Sequence, residues 1–126
     1  MGLIKTLSMK SPYGQLIRDG KKTIETRTWA TAYRGPILFV CSQKPSAPES
    51  GMALCVADLI DIRPMSMDDQ GAARCLFYPR AMAWILKNVR PVKPFPVRGQ
   101  LGLFDVPDYL IQMENSKQLA PPRARE

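Results

Sequence analysis

Apolar residues in this chain come mostly in short blocks or in strict alternation, the periods of β-strands, with only brief stretches at helical spacing. Residues 3–9 read as a strand. Ser11 and Pro12 follow: Ser11 stands as an N-cap, and Pro12 suits the first helical position, where its missing N–H costs nothing. Tyr13, Leu16 and Ile17 then share one helix face, and Gly20 stands where a helix ends in left-handed backbone. The start of this helix, beside Lys10, either offers free N–H groups to an anion or belongs to an ordinary packed helix. Residues 22–29 read as a second strand, supported by threonines and an isoleucine. Residues 36–42 form a nearly continuous apolar strand, expected to be buried on both faces. Residues 43–51, rich in Pro and Ser, read as a mobile loop.

The second half continues the pattern. Residues 52–62 carry apolar side chains on both parities, which predicts a central strand, with Asp58 either a satisfied buried carboxylate or a strand-end group. Ser66, Asp68 and Asp69 mark a helix start, and that helix is expected to run to about Leu76. Residues 82–89 fit either period: Ala81, Trp84 and Ile85 suit a helix, while Met82, Trp84 and Leu86 suit a strand face. Pro91, Pro94 and Pro96 force an extended connection. Residues 97–106 read as a last strand, with Gly99 and Gly102 marking bulges or close backbone approach. Trp84 and Phe104 read as core. The polar stretch 112–126, with Pro121 and Pro122, reads as a disordered tail after a single domain, 1–111.

Alternation places Glu25, Arg27 and Trp29 on one face of the second strand. A carboxylate, a guanidinium and an indole on one face suit the lining of a cleft. Arg27 bonded to Glu25 as a plain structural ion pair fits the same residues. By strict alternation Lys22 points away from Glu25, and it joins that face only if the turn after Gly20 twists the strand start.

Composition then narrows the chemistry. The chain has 126 residues, no histidine and three cysteines at unpaired spacings. The missing histidine removes the commonest general base and metal ligand, and three unpaired cysteines argue against a disulfide framework or a zinc site. No metal and no cofactor are expected. No apolar run is long enough to span a membrane, and the first residues lack the pattern of a signal peptide, so a cytoplasmic protein with no membrane partner is expected. The formal charge of +7 is unevenly placed: residues 1–43 carry +5, 44–73 carry −3, 74–98 carry +6 and 99–126 carry −1. If the two basic blocks meet in space they form a surface suited to phosphates; otherwise they serve solubility.

Gly20-x-Lys22-x-x-Glu25-x-Arg27 matches the G-x-K-x-x-E-x-R signature of the ASCH (activating signal cointegrator homology) domains, which this chain resembles. Leu7-Ser8-Met9-Lys10-Ser11-Pro12-Tyr13 is similar to the family's opening strand and helix entry. The run from Trp29 to Pro36 (W-A-T-A-Y-R-G-P), Cys41-Ser42, and the segments beginning at Trp84 and Gly99 continue the likeness over about residues 3–107. The resemblance implies an α+β, mainly β fold: a PUA-like (pseudouridine-synthase-and-archaeosine-transglycosylase-like) small β-barrel of about five or six strands with short flanking helices. It makes residues 82–89 a strand. It also implies RNA or nucleotide binding in a cleft beside the barrel. Some members are ribonucleases, and one bacterial branch hydrolyses acylated cytidines with a Lys and a Thr. Here Glu25 stands in place of that Thr, and a carboxylate does not simply replace a hydroxyl nucleophile.

The expected ligand-contacting residues are Lys10, Ser11, Lys22, Glu25, Arg27, Trp29, Tyr33, Arg34, Ser42 and Arg98. Trp29 and Tyr33 stack a base in this reading, as aromatics do on single strands, and Trp29 equally fits the core. Lys22 has no evident structural task. Arg34, Arg90, Lys93 and Arg98 contact phosphates or simply face solvent. In an enzyme, Lys22 stabilises charge while Glu25 or Tyr33 moves protons. A protein-interaction adaptor, using the Pro-rich loop and tail, is the third reading.

Overall fold

A computed structural model describes residues 2–114. Six strands form one curled sheet, a half-barrel: β1 (Leu3–Met9), β2 (Ile24–Arg27), β3 (Gly35–Cys41), β4 (Ala53–Pro64), β5 (Met82–Pro91) and β6 (Phe104–Pro107). Their order across the sheet is β2-β5-β4-β3-β1-β6. β1 pairs with β3 in parallel, and every other pairing is antiparallel. Two short helices accompany the sheet, α1 (Tyr13–Arg18) and α2 (Gln70–Ala73), the latter entered through a 3-10 turn at Met67–Asp69.

The run in β3 is apolar on both parities because both faces of the sheet are covered. Ile37 and Phe39 join Leu7, Ile17, Cys55, Leu59 and Trp84 in one cluster, while Leu38 and Val40 join Val56, Val92, Phe104 and Val106 in another. β4 meets the same demand and, as expected, lies inside the sheet between β3 and β5. Asp58 sits there half-exposed, bonded by Arg90 at 3.0 Å and Asn88 at 3.1 Å. The Arg90 hydrogen bond holds its carboxyl below the usual range. Residues 82–89 are strand, their length set by a long ladder with β4. A third, small cluster of Ile24, Met65, Ala73, Ala81 and Ala83 seats α2 against β2.

Several boundaries differ from the sequence reading, each for a local reason. Ser11 does not cap α1: its hydroxyl donates to Glu49 at 2.7 Å, and Pro12 takes the cap position. The Tyr13 N–H donates to Lys10 O at 2.9 Å, so the helix start is already partly satisfied from within. α1 does stop at Gly20, which has φ +77°. α2 stops at Ala73 rather than near Leu76, because Arg74 takes the left-handed conformation. The second strand begins only at Ile24, since Lys21 and Lys22 both donate their N–H groups to Leu16 O at the end of α1. The last strand is also shorter. Residues 97–103 run irregularly, and Gly99 lies so close to β1 that a Cβ there would stand 2.9 Å from the Ser8 hydroxyl. The loop 43–51 is a series of turns tied by backbone and Ser50 hydrogen bonds. The expected tail lies almost wholly outside the described residues. No helix among those described is long and apolar enough to cross a membrane.

Candidate functional site

The sheet curls so that the end of β1 comes near β2 without pairing to it. Into this seam opens a cleft of about 1280 Å³. Residues 8–10 of β1 and its exit, 25–27 of β2, 42–44 after β3, Cys75 and Tyr78 before β5, and the irregular segment 96–102 line it.

The signature residues form its floor. Glu25 and Arg27 share a face of β2, as alternation requires, and Arg27 Nε donates to Glu25 Oε2 at 2.7 Å. Arg27 also donates to Ser8 O at 3.0 Å, bridging the unpaired seam between β2 and β1. Lys22 precedes the strand and so escapes its alternation. Its Nζ lies 3.3 Å from Glu25 Oε1, donates to Ile24 O at 2.8 Å and to Ala73 O at 2.5 Å, and sits 5.3 Å from the centre of the Tyr13 ring. At 3% and 6% exposure, Lys22 and Glu25 are almost fully buried. Lys22 therefore has the structural task that the sequence hid: it joins the end of α2 to the start of β2. Charges so buried persist because each is paired and hydrogen-bonded.

Of the other expected residues, Lys10, Ser42 and Arg98 line the same cleft. Ser42 spends its hydroxyl on Lys44 O at 2.9 Å. None of the ion pairs found among the described residues uses Lys10 or Arg98, nor Lys44, which the sequence reading missed. Ser11 is turned to Glu49 and does not line the cleft. Trp29, Tyr33 and Arg34 do not line it either. Trp29 stands edge-on to Trp84, centroids 4.9 Å apart at 84°, and its carbonyl accepts from the buried Trp84 indole at 3.2 Å. Tyr33 donates its hydroxyl to Pro36 O at 2.7 Å and packs against the core; burial pushes its pKa up. Arg34 donates to Thr31 O and Tyr33 O, both at 2.8 Å.

Sequence reasoning missed Tyr13, Lys44, Cys75 and Tyr78 as lining residues. Tyr13 was legible only as a core helix position, and Lys44 hid in a Pro/Ser loop. Cys75 and Tyr78 lie some fifty residues from β2, and only the seating of α2 on that strand brings Cys75 Sγ to 3.6 Å from Thr26 Oγ1. The two basic blocks meet here in part: Lys10, Lys22 and Arg27 come from the first and Arg98 from the second. Arg90 of the second block is spent on Asp58.

A half-barrel with short helices and a cleft at its open seam has the architecture of a PUA-like protein. The family model for the ASCH domain matches residues 7–96, and the chain belongs to that family. Solved structures of the ASCH protein from Zymomonas mobilis share the fold. A serine-to-alanine variant of that protein superposes with a TM-score of 0.64 at 13% identity, over 86% of this chain and 96% of that one. A tyrosine-to-phenylalanine variant gives 0.62 at 14% identity, over 91% and 94%. The parent protein gives 0.63 at 15% identity, over 83% and 88%. No curated protein matches the sequence.

Proposed function

We propose that this ASCH domain binds RNA or a nucleotide in the seam cleft, with Lys10, Lys44 and Arg98 supplying the phosphate contacts. The observation that supports this most is that these three cations share one cleft with apolar and aromatic neighbours while no carboxylate among the described residues pairs with them. Phosphate neutralisation supplies sequence-independent affinity, and apolar walls receive the bases. Membership of the ASCH family favours the same class of ligand.

The site is a binding cleft rather than a reaction centre in this reading. The Lys22 ammonium already serves two carbonyls and a carboxylate, both Glu25 oxygens are engaged, and Tyr33 lies outside the cleft. Catalysis by these groups requires them to leave their partners first. Titration of a fluorescent single-stranded RNA oligonucleotide at low salt tests the proposal. Binding that weakens with added salt and with Arg98→Gln is expected; no binding of RNA or nucleotides at low salt sinks it.

A further inference from the structure

This inference rests on the nucleotide-binding reading above and gives it a direction. The charges along the cleft are ordered. At one end, three segments lie side by side: Ser42 N donates to Met9 O at 2.8 Å, Gly51 N to Cys41 O at 2.8 Å, and Val97 N to Gly51 O at 2.9 Å. This end carries Lys10, Lys44 and Arg98. Glu49, the carboxylate closest to it in the chain, accepts from the Ser11 hydroxyl. In the middle lies the floor of Lys22, Glu25 and Arg27, whose charges are met internally. At the other end Thr26 meets Cys75, and Tyr78 completes the lining, braced on the small cluster that seats α2. Lys22, which reaches Ala73 O beside this end, is already spent on two carbonyls and Glu25.

We propose that the cleft holds one phosphomonoester nucleotide unit lengthwise, its phosphate among Lys10, Lys44 and Arg98 and its base against Tyr78. A monoester carries a charge of about −2 at neutral pH, against a single charge on a diester, so three cations without a carboxylate partner among the described residues favour a terminal phosphate over a mid-strand one. The compensated floor neither holds nor repels the sugar strongly. Tyr78 offers a ring for stacking, and Thr26 and Cys75 offer a hydroxyl and a thiol beside it. Two sources share this chemistry, a free mononucleotide and the phosphorylated end of an RNA strand.

The test compares uridine monophosphate, uridine, ribose 5-phosphate, and short oligouridylates with a 5′-phosphate, a 3′-phosphate or neither. Arg98→Gln is expected to weaken uridine monophosphate and ribose 5-phosphate about tenfold while leaving uridine unchanged. Tyr78→Leu is expected to weaken uridine monophosphate and uridine about tenfold while leaving ribose 5-phosphate unchanged. Tyr78→Phe, which keeps the ring, should bind like the parent. The monophosphate should slow alkylation of Cys75, and ribose 5-phosphate should not. Tight binding of the free monophosphate supports the first source; a gain seen only with end-phosphorylated oligomers supports the second. Oligomers that bind equally well without an end phosphate, or variants that weaken all ligands alike, overturn the directional site and leave RNA binding standing. Failure of every oligomer and nucleotide to bind overturns both.

Discussion

Arg27 Nε donates to Glu25 Oε2 at 2.7 Å from two positions further along the same strand face, while Lys22 approaches the other oxygen at 3.3 Å. One carboxylate thus holds two cations in the floor of the cleft. Removing it strands a buried ammonium. Glu25→Ala is expected to cost about 3 kcal/mol in urea unfolding, since breaking a buried ion pair leaves an uncompensated charge. A loss under about 1 kcal/mol would place the pair in the class of solvent-screened bridges.

Trp29 lies outside the cleft, its ring packed on the buried Trp84 while its other side stays exposed. Trp29→Ala uncovers Trp84 and should lower stability by about 1 kcal/mol, the scale of an aromatic pair. RNA affinity measured on the folded variant should not change. A large drop in affinity at unchanged stability would contradict the placement.

Gly35 has φ +133°, and a Cβ there would stand 2.9 Å from the Tyr33 hydroxyl. Gly35→Ala should therefore destabilise the protein by about 1–3 kcal/mol, read as a fall in Tm, because a strained backbone and a displaced Tyr33 add together. Gly71→Ala, with open space around it and no positive φ, is the matched control and should be neutral or slightly stabilising.

If three cations contact phosphates, the logarithm of RNA affinity should fall linearly with that of salt concentration. The slope should lessen in Lys10→Ala, Lys44→Ala and Arg98→Ala, by at most about 0.7 per phosphate left without its cation. An unchanged slope in all three variants would place the RNA elsewhere on the surface.

Asp69 accepts from Arg63 at 2.8 and 2.9 Å and from the Ser66 N–H at 2.8 Å. Arg63 first, and then the Ser66 amide, hold its carboxyl far below the usual range. The folded value is depressed, so the stabilisation is complete above the unfolded pKa of about 4 and drains away as pH falls below it. Thermal denaturation should show the advantage of the parent over Asp69→Asn at pH 7 shrinking below about pH 4. A constant difference across that range would refute the assignment.

Cys55, deep in the core, has its thiol pushed up to about 12 by burial, and Cys41 is raised for the same first reason. Cys75 is only half-buried and lines the cleft. Alkylation of the native protein should therefore reach Cys75 first, as mass spectrometry of a short iodoacetamide pulse would show. Modification of Cys55 at the same rate would mean that the core opens readily.

Much of this molecule was legible from one dimension. β3 lay open in the apolar pattern, because a strand buried on both faces leaves no polar parity, and β1 was read over the residues it occupies. Gly20 marked the end of α1 because a left-handed residue there favours glycine. The pairing of Glu25 with Arg27 was among the readings that alternation allowed, since side chains two apart on a strand share a face. Local rules reached this far because each depends on neighbours within a few residues.

Tertiary structure decided the rest. Lys22 is bound by Ala73, fifty-one residues away, and no local pattern carries that. Trp29 falls beyond the end of β2 at Arg27, and its ring meets Trp84, fifty-five residues away. Tyr78 and Lys44 entered the cleft by the folding of connections whose sequences say only that they are connections. The sequence by itself determined which residues could be strands and which charges they would carry. Which of those charges would cancel in the floor of the cleft, and which would gather at its end, depended on contacts between segments far apart in the chain.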